Sequence, residues 1–441
     1  MPLTDLKLSE IFDPADKARW LEQVAADLKG KAVENLRWRS PEGFDLDPYF
    51  TSEDLASLNL SEIRSAQIFG RTPGWLNIPE VTPADETETN RQLRDLLTRG
   101  ADGFLLNLAD RDVRRIDWAR LLNGLRLSDT PVWFRVSGQA GSLMDLLKNL
   151  LPYQLKGGFL DDDPESVARA SQASLDSPLF RTIGIETDRF HNEGATAVQE
   201  LAFGLGALVD RYDHLTEAGL KLDELLSKTM VTVAVGPSYF TEIAKIRAFR
   251  VLWLRLLGQY GVSESRPLFL LGRNSAFHDA AATPYVNMLR ATTEAMSVVI
   301  GGCDALTVHP YDAVFQKPDA FSERIARNLS LLLKEEAQLD KVLDPAGGSY
   351  FLETLTHRLT ESAWQLFLKV EAIGGLAKAA EHGFVQEELD ASFRAGTEAV
   401  ENGRVLVGVT KYRHDEAPAA GDSAPGPATV SPNRRLAEGF E

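Results

Sequence analysis

The amino-acid sequence predicts an α/β fold: a (β/α)8 TIM barrel with an N-terminal arm and a C-terminal helical extension. Eight short apolar runs recur along the chain: WLNIPEV at 75–81, GFLLNL at 103–108, PVWFRV at 131–136, KGGFL at 156–160, RTIGIE at 181–186, MVTVAV at 230–235, PLFLLG at 267–272 and ALTVH at 305–309. Between them lie helical patterns such as ETNRQLRDLLTRG and AVQELAFGLGALVDRY. Strands separated by helix-length crossovers are parallel, and eight such units are the signature of a closed barrel with its chemistry at the C-terminal strand ends. The main rival, a doubly wound open sheet, lacks its Gly-rich fingerprint after the first run.

One stretch displays the unit in full. From Pro267 to Asp312 two brief apolar runs flank Tyr285, Met288, Leu289, Thr292, Met296 and Val299, which recur at helical spacing, and the pair Gly301-Gly302 ends the helix because glycine tolerates a left-handed C-cap. Residues 1–60 read as an arm for subunit contact: Lys17 to Leu28 make an amphipathic helix ending at Gly30, and the following segment alternates and turns. Trp20, Trp38, Tyr49 and Phe50 are too many large apolar groups for a free tail and are the interface candidates. The barrel is expected over 61–320 and a mostly helical extension completing it over 321–414. Residues 415–441, rich in Ala, Pro, Gly and Ser over most of their length, read as a disordered linker and tail.

Composition excludes several functions. A net charge of −17 argues against nucleic acid and anionic membrane surfaces, which need a basic footprint. No apolar run approaches the roughly 20 residues of a membrane helix and no basic-then-apolar leader opens the chain, so the expected location is cytoplasmic. The single Cys303 has no His or Lys beside it in sequence and reads as a packing residue. The seven histidines are scattered without metal-ligand spacing, so no metal site is expected. Asp188, His191 and Gly194 form D-x-x-H-x-x-G, one residue too long for the cobalt-binding D-x-H-x-x-G loop. Glu242, Lys245 and Arg247 lie in an amphipathic helical pattern, where charges usually form a solvated face.

Arg135, Glu186, Arg273 and His309 are the ionisable groups at or just beyond strand C-termini. They are candidates for a strand-end pocket, with a salt-bridged rim as the plainer reading. No phosphate loop, serine elbow or close carboxylate pair appears, and Lys156 and Lys228 fall at strand starts, the wrong end for a Schiff-base aldolase.

Four segments carry a family resemblance: RWLEQVAADLKGK, FTEIAKIRAFRVLW, PYVNMLRATTEAMSVVIGGCDALTVHPYD, and DPAGGSYFLETLT with VEAIGGLAKA after it; GVTKYR near residue 410 adds to them. The chain resembles the small subunit of heterodimeric methylmalonyl-CoA mutase. The resemblance implies an adenosylcobalamin-dependent isomerase complex in which a large subunit interconverts (R)-methylmalonyl-CoA and succinyl-CoA. It implies a noncatalytic or weakly catalytic role for this chain, with cofactor and acyl-CoA carried by the large-subunit partner. The alternative is an active acyl-CoA mutase chain whose cobalamin domain is a separate polypeptide.

Departures from the catalytic pattern favour the first reading, with no catalytic or cofactor-binding residue on this chain. Leu270, Leu271, Gly272 and Arg273 stand where catalytic members carry Thr-His-Ser-Gln; Arg189 and Phe190 precede His191 where they carry Tyr-His; and IFGRTPGW at 68–75 replaces their tyrosine-bearing signature. Catalytic members also carry a C-terminal cobalamin domain, and this chain is expected to end before one. In those members the acyl-CoA arm threads the barrel. Here either face of strand three (Trp133 and Arg135, or Val132, Phe134 and Val136) puts large groups inside, as do strands two and seven. A plugged axis is therefore expected, with no appreciable binding of acyl-CoA or adenosylcobalamin by the isolated chain.

Overall fold

The computed structural model describes residues 15–262, 266–414 and 434–441. Each of the eight expected runs contains a parallel strand. β1 comprises Leu76–Asn77 and Glu80–Val81; β2 is Phe104–Asn107, β3 Val132–Arg135 and β4 Gly157–Leu160. β5 comprises Phe180–Arg181 and Ile183–Glu186; β6 is Thr229–Val235, β7 Phe269–Asn274 and β8 Ala305–Thr307.

The ring closes through the two interrupted strands. The first half of β1 pairs with β8 (Leu76 with Ala305) and the second with β2 (Val81 with Leu106). Pro79, which has no N–H to donate, sits at the changeover. β5 does the same, Phe180 pairing with Gly157 of β4 and Ile183 with Thr229 of β6. Two five-stranded arcs thus share β1 and β5 and make one eight-stranded barrel. Gly157, at φ 118°, lets β4 approach β3: a Cβ there would stand 1.9 Å from the Val132 carbonyl oxygen.

Period-two alternation now has an assigned direction. Val132 and Phe134 face the helical layer with Phe104 and Leu106. Ile78, Leu105, Trp133, Leu160, Met230 and Leu271 form a separate buried cluster inside the ring. Trp133 stacks on Phe269 at 5.6 Å, and the Arg181 guanidinium lies 4.4 Å from the Phe269 ring centre. The lumen is packed by bulky groups, as in a barrel that is a core and not a pore.

Long helices wrap the ring, among them α1 (Ala197–Glu217), α2 (Tyr239–Gln259) and α3 (Pro284–Gly301), the last capped by Gly302 in the left-handed conformation as the sequence predicts. The extension adds α4 (Tyr350–Ile373), which packs across α1 and α2, and α5 (Phe384–Glu401). α2 therefore has no solvated charged face: Glu242, Lys245 and Arg247 are all buried, which corrects the sequence expectation. A second layer of helix covers the side that amphipathicity assigns to water, and Arg247 reaches Asp344 (2.8 and 3.0 Å), Glu353 (3.1 Å) and Thr356 (3.0 Å) there.

The arm lies on its own barrel along one edge. Leu46 is buried, Phe50 meets Phe351 of α4 at 5.4 Å, and Glu42 accepts from the Val198 N–H at the start of α1 (2.9 Å). Its other edge stays open: the helix Lys17–Asp27 buries no residue, Trp20 stacks on Tyr49 at 4.8 Å, and Trp38 and Tyr49 are each 45% exposed. Residues 415–433 of the expected linker lie outside the described residues. Residues 434–441, expected in the same disordered tail, are instead packed. Leu436 and Ala437 are buried, the Leu436 N–H donates to the Phe277 carbonyl (2.9 Å), and Arg435 pairs with Glu441 (3.0 Å).

Candidate functional site

The C-terminal mouth of the barrel is built by the inward positions one pleat beyond the apolar cluster: Glu80 follows Ile78, Asn107 follows Leu105, Arg135 follows Trp133 and Arg273 follows Leu271. Arg135 contacts Glu80 (3.1 Å) and Glu186 (2.6 Å). Arg273 contacts Glu80 (2.7 Å) and Asp188 (2.5 Å), and Asn107 donates to Glu80 (3.0 Å). The strands thus bring Arg135, Glu186 and Arg273 into one network spanning the mouth. His309 is buried beside it, its backbone N–H donating to Asn274 (2.5 Å).

Charge balance sets the protonation states. Burial alone would raise the Glu80 carboxyl, but Arg273 and Arg135, with His309 and Asn107, outweigh it and hold Glu80 down at about 2. Asp188 is likewise lowered against burial by Arg273 and Arg135. Three carboxyls face two guanidinium groups, and the excess shows on Glu186, which burial raises, Arg135 opposing and Asp188 adding to the rise. Burial and then Arg273 push His309 down to about 4, leaving it neutral at pH 7.

A second buried cluster supports the mouth from the side of α1 and α2. Lys245 lies 2.7 Å from Glu200 and 2.6 Å from Glu242 and donates to the Ala234 carbonyl at 2.9 Å. Glu200 also accepts from Thr187 (3.1 Å) and the Ala234 N–H (2.9 Å). Burial dominates and lifts Glu200 to about 7 despite Lys245. His191 stands 3.7 Å from Glu200 and shares a 2.8 Å hydrogen bond with Ser275. Burial lowers its pKa far enough to keep it neutral.

Above these groups, beyond the ends of β5, β6 and β7, opens a cavity of about 470 Å³. Its floor holds His191, His278 and Glu242 around Gly236, and its walls come from the arm, α5 and Leu436. Chemically, the mouth offers paired ions and the cavity offers neutral imidazoles and rim cations. Cys303 is buried with its thiol pushed up to about 12 by burial, so it supplies no nucleophile. Among the described residues no group of His, Cys, Asp and Glu could hold a metal, and no helix is long and apolar enough to cross a membrane.

Sequence reasoning missed Glu80, Asp188, Glu200 and Glu242 as partners. Glu80 had a usable signal, a charge inside an apolar run two residues after Ile78. Glu200 had none, since a glutamate in the first turn of a helix is ordinary.

Comparisons with known proteins follow the same lines. The methylmalonyl-CoA mutase family model matches residues 167–432. The methylmalonyl-CoA mutase small subunit of Porphyromonas gingivalis is 34% identical over 424 residues, covering 88% of this chain and 68% of that protein. The probable methylmalonyl-CoA mutase small subunit of Mycobacterium tuberculosis is 33% identical over 397 residues, 83% of this chain and 63% of that one. The methylmalonyl-CoA mutase of Rhizobium meliloti is 29% identical, covering 86% of this chain and 62% of its own length. This chain therefore spans about two thirds of the length of these curated relatives.

Proposed function

The chain belongs to the methylmalonyl-CoA mutase family, and from that premise we propose that it serves as the noncatalytic small subunit of an adenosylcobalamin-dependent mutase, stabilising a catalytic large subunit. The observation that carries this reading is the filled lumen: Trp133 stacks on Phe269 where an acyl-CoA arm would run, and the network of Arg135 and Arg273 with Glu80, Glu186 and Asp188 crosses the exit. In the proposed complex the substrate and the cofactor sit on the large subunit.

The residues of this chain do not fit a corrin. A macrocycle of that size needs an open face above the strand ends. Over β7 that face carries the segment after Arg434, with Glu441 accepting from the Ala281 N–H (2.5 Å) and Arg435 donating to the Asp279 carbonyl (3.0 Å). His191 and His309 are both buried.

The arm supplies the proposed contact. Its inner edge is anchored to the barrel, while Leu21 (38% exposed) and Tyr49 (45%) remain on the outer edge. Central aromatic anchors are each worth about 2 kcal/mol or more, so Leu21→Asp with Tyr49→Asp should weaken association with the large subunit at least about thirtyfold. The test is co-purification with the large subunit, then mutase turnover by each chain alone and together. Association and turnover that need the large subunit, with binding lost in the double variant, are expected. Turnover by this chain with only a separate cobalamin-binding polypeptide would overturn the reading.

A further inference from the structure

The cavity beyond β5–β7 is separate from the plugged axis and lies within the size range of small-molecule sites, roughly 300–1,000 Å³. Two cations line it without a counter-ion: among the described residues no carboxylate pairs with Arg39 or Arg404. Every other arginine named at the barrel mouth is ion-paired. Two guanidinium groups on one concave surface give it a local positive character within a chain of net charge −17.

The acidic groups of the same cavity are already engaged. Glu42 accepts from the Val198 N–H at the start of α1, and Glu242 is paired with Lys245 at 2.6 Å. The N-terminus of the 21-residue α2 adds a further positive end, since its N-cap Ser238, which lines the cavity, makes no side-chain capping bond. His278 faces Arg404 and is neutral, burial and then Arg404 holding it down at about 3, so its ring can both donate and accept. Phe277 and Phe393, with rings 6.0 Å apart, supply an apolar wall.

We propose that this cavity binds a small organic acid, its carboxylate held by Arg404 and Arg39 and its apolar body laid against Phe277 and Phe393. A planar carboxylate matches the guanidinium fork, and the aromatic wall distinguishes an acid with a hydrocarbon body from a bare oxyanion. The site goes beyond the subunit reading and does not depend on it. It is measured on this chain alone, and its failure would leave association with a large subunit untouched.

Calorimetric titration of the full chain with hexanoate, hexanamide and inorganic phosphate tests the proposal. Hexanoate binding, at least tenfold tighter than hexanamide and phosphate, is expected. Arg404→Gln should weaken hexanoate at least tenfold, whereas Arg120→Gln, an exposed arginine beside Asp117 far from the cavity, should leave it unchanged. Arg404 is exposed and makes no side-chain hydrogen bond within the described residues, so the variant keeps the fold, which an unchanged thermal melt verifies. Absence of hexanoate binding overturns the proposal, as does equal binding by Arg404→Gln. Phosphate binding without hexanoate binding overturns it in favour of a bare oxyanion site.

Discussion

Replacing Lys245 by Met would test whether the buried charges beneath the cavity act as one unit. The side chains of Lys245, Glu200 and Glu242 are 1%, 0% and 6% exposed, and Lys245 is the cation within 3 Å of both carboxylates. Removing it leaves two carboxyls in a dry site, where each is driven to take up a proton. Holding a group of ordinary pKa 4.5 protonated at about pH 7.5 costs roughly 4 kcal/mol, from 1.36 kcal/mol per unit. Glu200, already at about 7, bears most of that cost in the native chain, so the new cost falls chiefly on Glu242. The expected loss is therefore about 3–5 kcal/mol, the range for breaking a buried ion pair.

The same argument fixes the pH dependence. Carboxyls with a raised folded pKa bind more protons folded than unfolded, so the variant loses stability as pH rises above 4.5. By about pH 5.5 the penalty should shrink to roughly 1–2 kcal/mol. Urea unfolding of both proteins at the two pH values measures this, and adding Glu242→Gln should recover part of the loss. A penalty below about 1 kcal/mol, or one that does not change with pH, would refute the reasoning.

Two further outcomes follow from the barrel axis. Trp133→Ala removes a fully buried indole and its stack on Phe269, so urea unfolding should report a loss of about 3–5 kcal/mol. A loss under about 1 kcal/mol would mean that the lumen is loosely filled. Glu80 is held at about 2 by Arg273 and Arg135, so its contribution, about 3 kcal/mol at most, is present above pH 4.5 and lost as pH falls toward 2. Glu80→Gln should flatten the acid limb of the stability profile over that window, and an unchanged limb would contradict the pairing.

How much was legible depended on whether a signal was local. The strand runs, the helix end at Gly302 and the bulky strand faces could be read because period-two and period-3.6 patterns and a left-handed cap are properties of neighbours in sequence. The burial of Lys245 and Arg247 is illegible for the converse reason. The surroundings of Arg247 are set by α4, which begins more than 100 residues later, and those of Lys245 by Glu200 of α1 and the Ala234 carbonyl of β6; nothing within α2 announces either. The packed segment after Arg434 escaped likewise: a short polar octapeptide gains burial only because Phe277 and α5 form its seat.

The alternation of eight strands with helices, the bulk inside the ring and the family motifs are legible without the fold, because each is written in residues close together along the chain. Which face of each strand points inward, that Arg135 and Arg273 share Glu80, and that Arg39 and Arg404 line one cavity with no carboxylate partner among the described residues are set by the folded chain alone. Glu80 and Arg273 are 193 residues apart, and the ring closure that places them 2.7 Å apart arises from strand register around the whole barrel. Register is a collective property of all eight strands, so no local stretch encodes which charges will face one another.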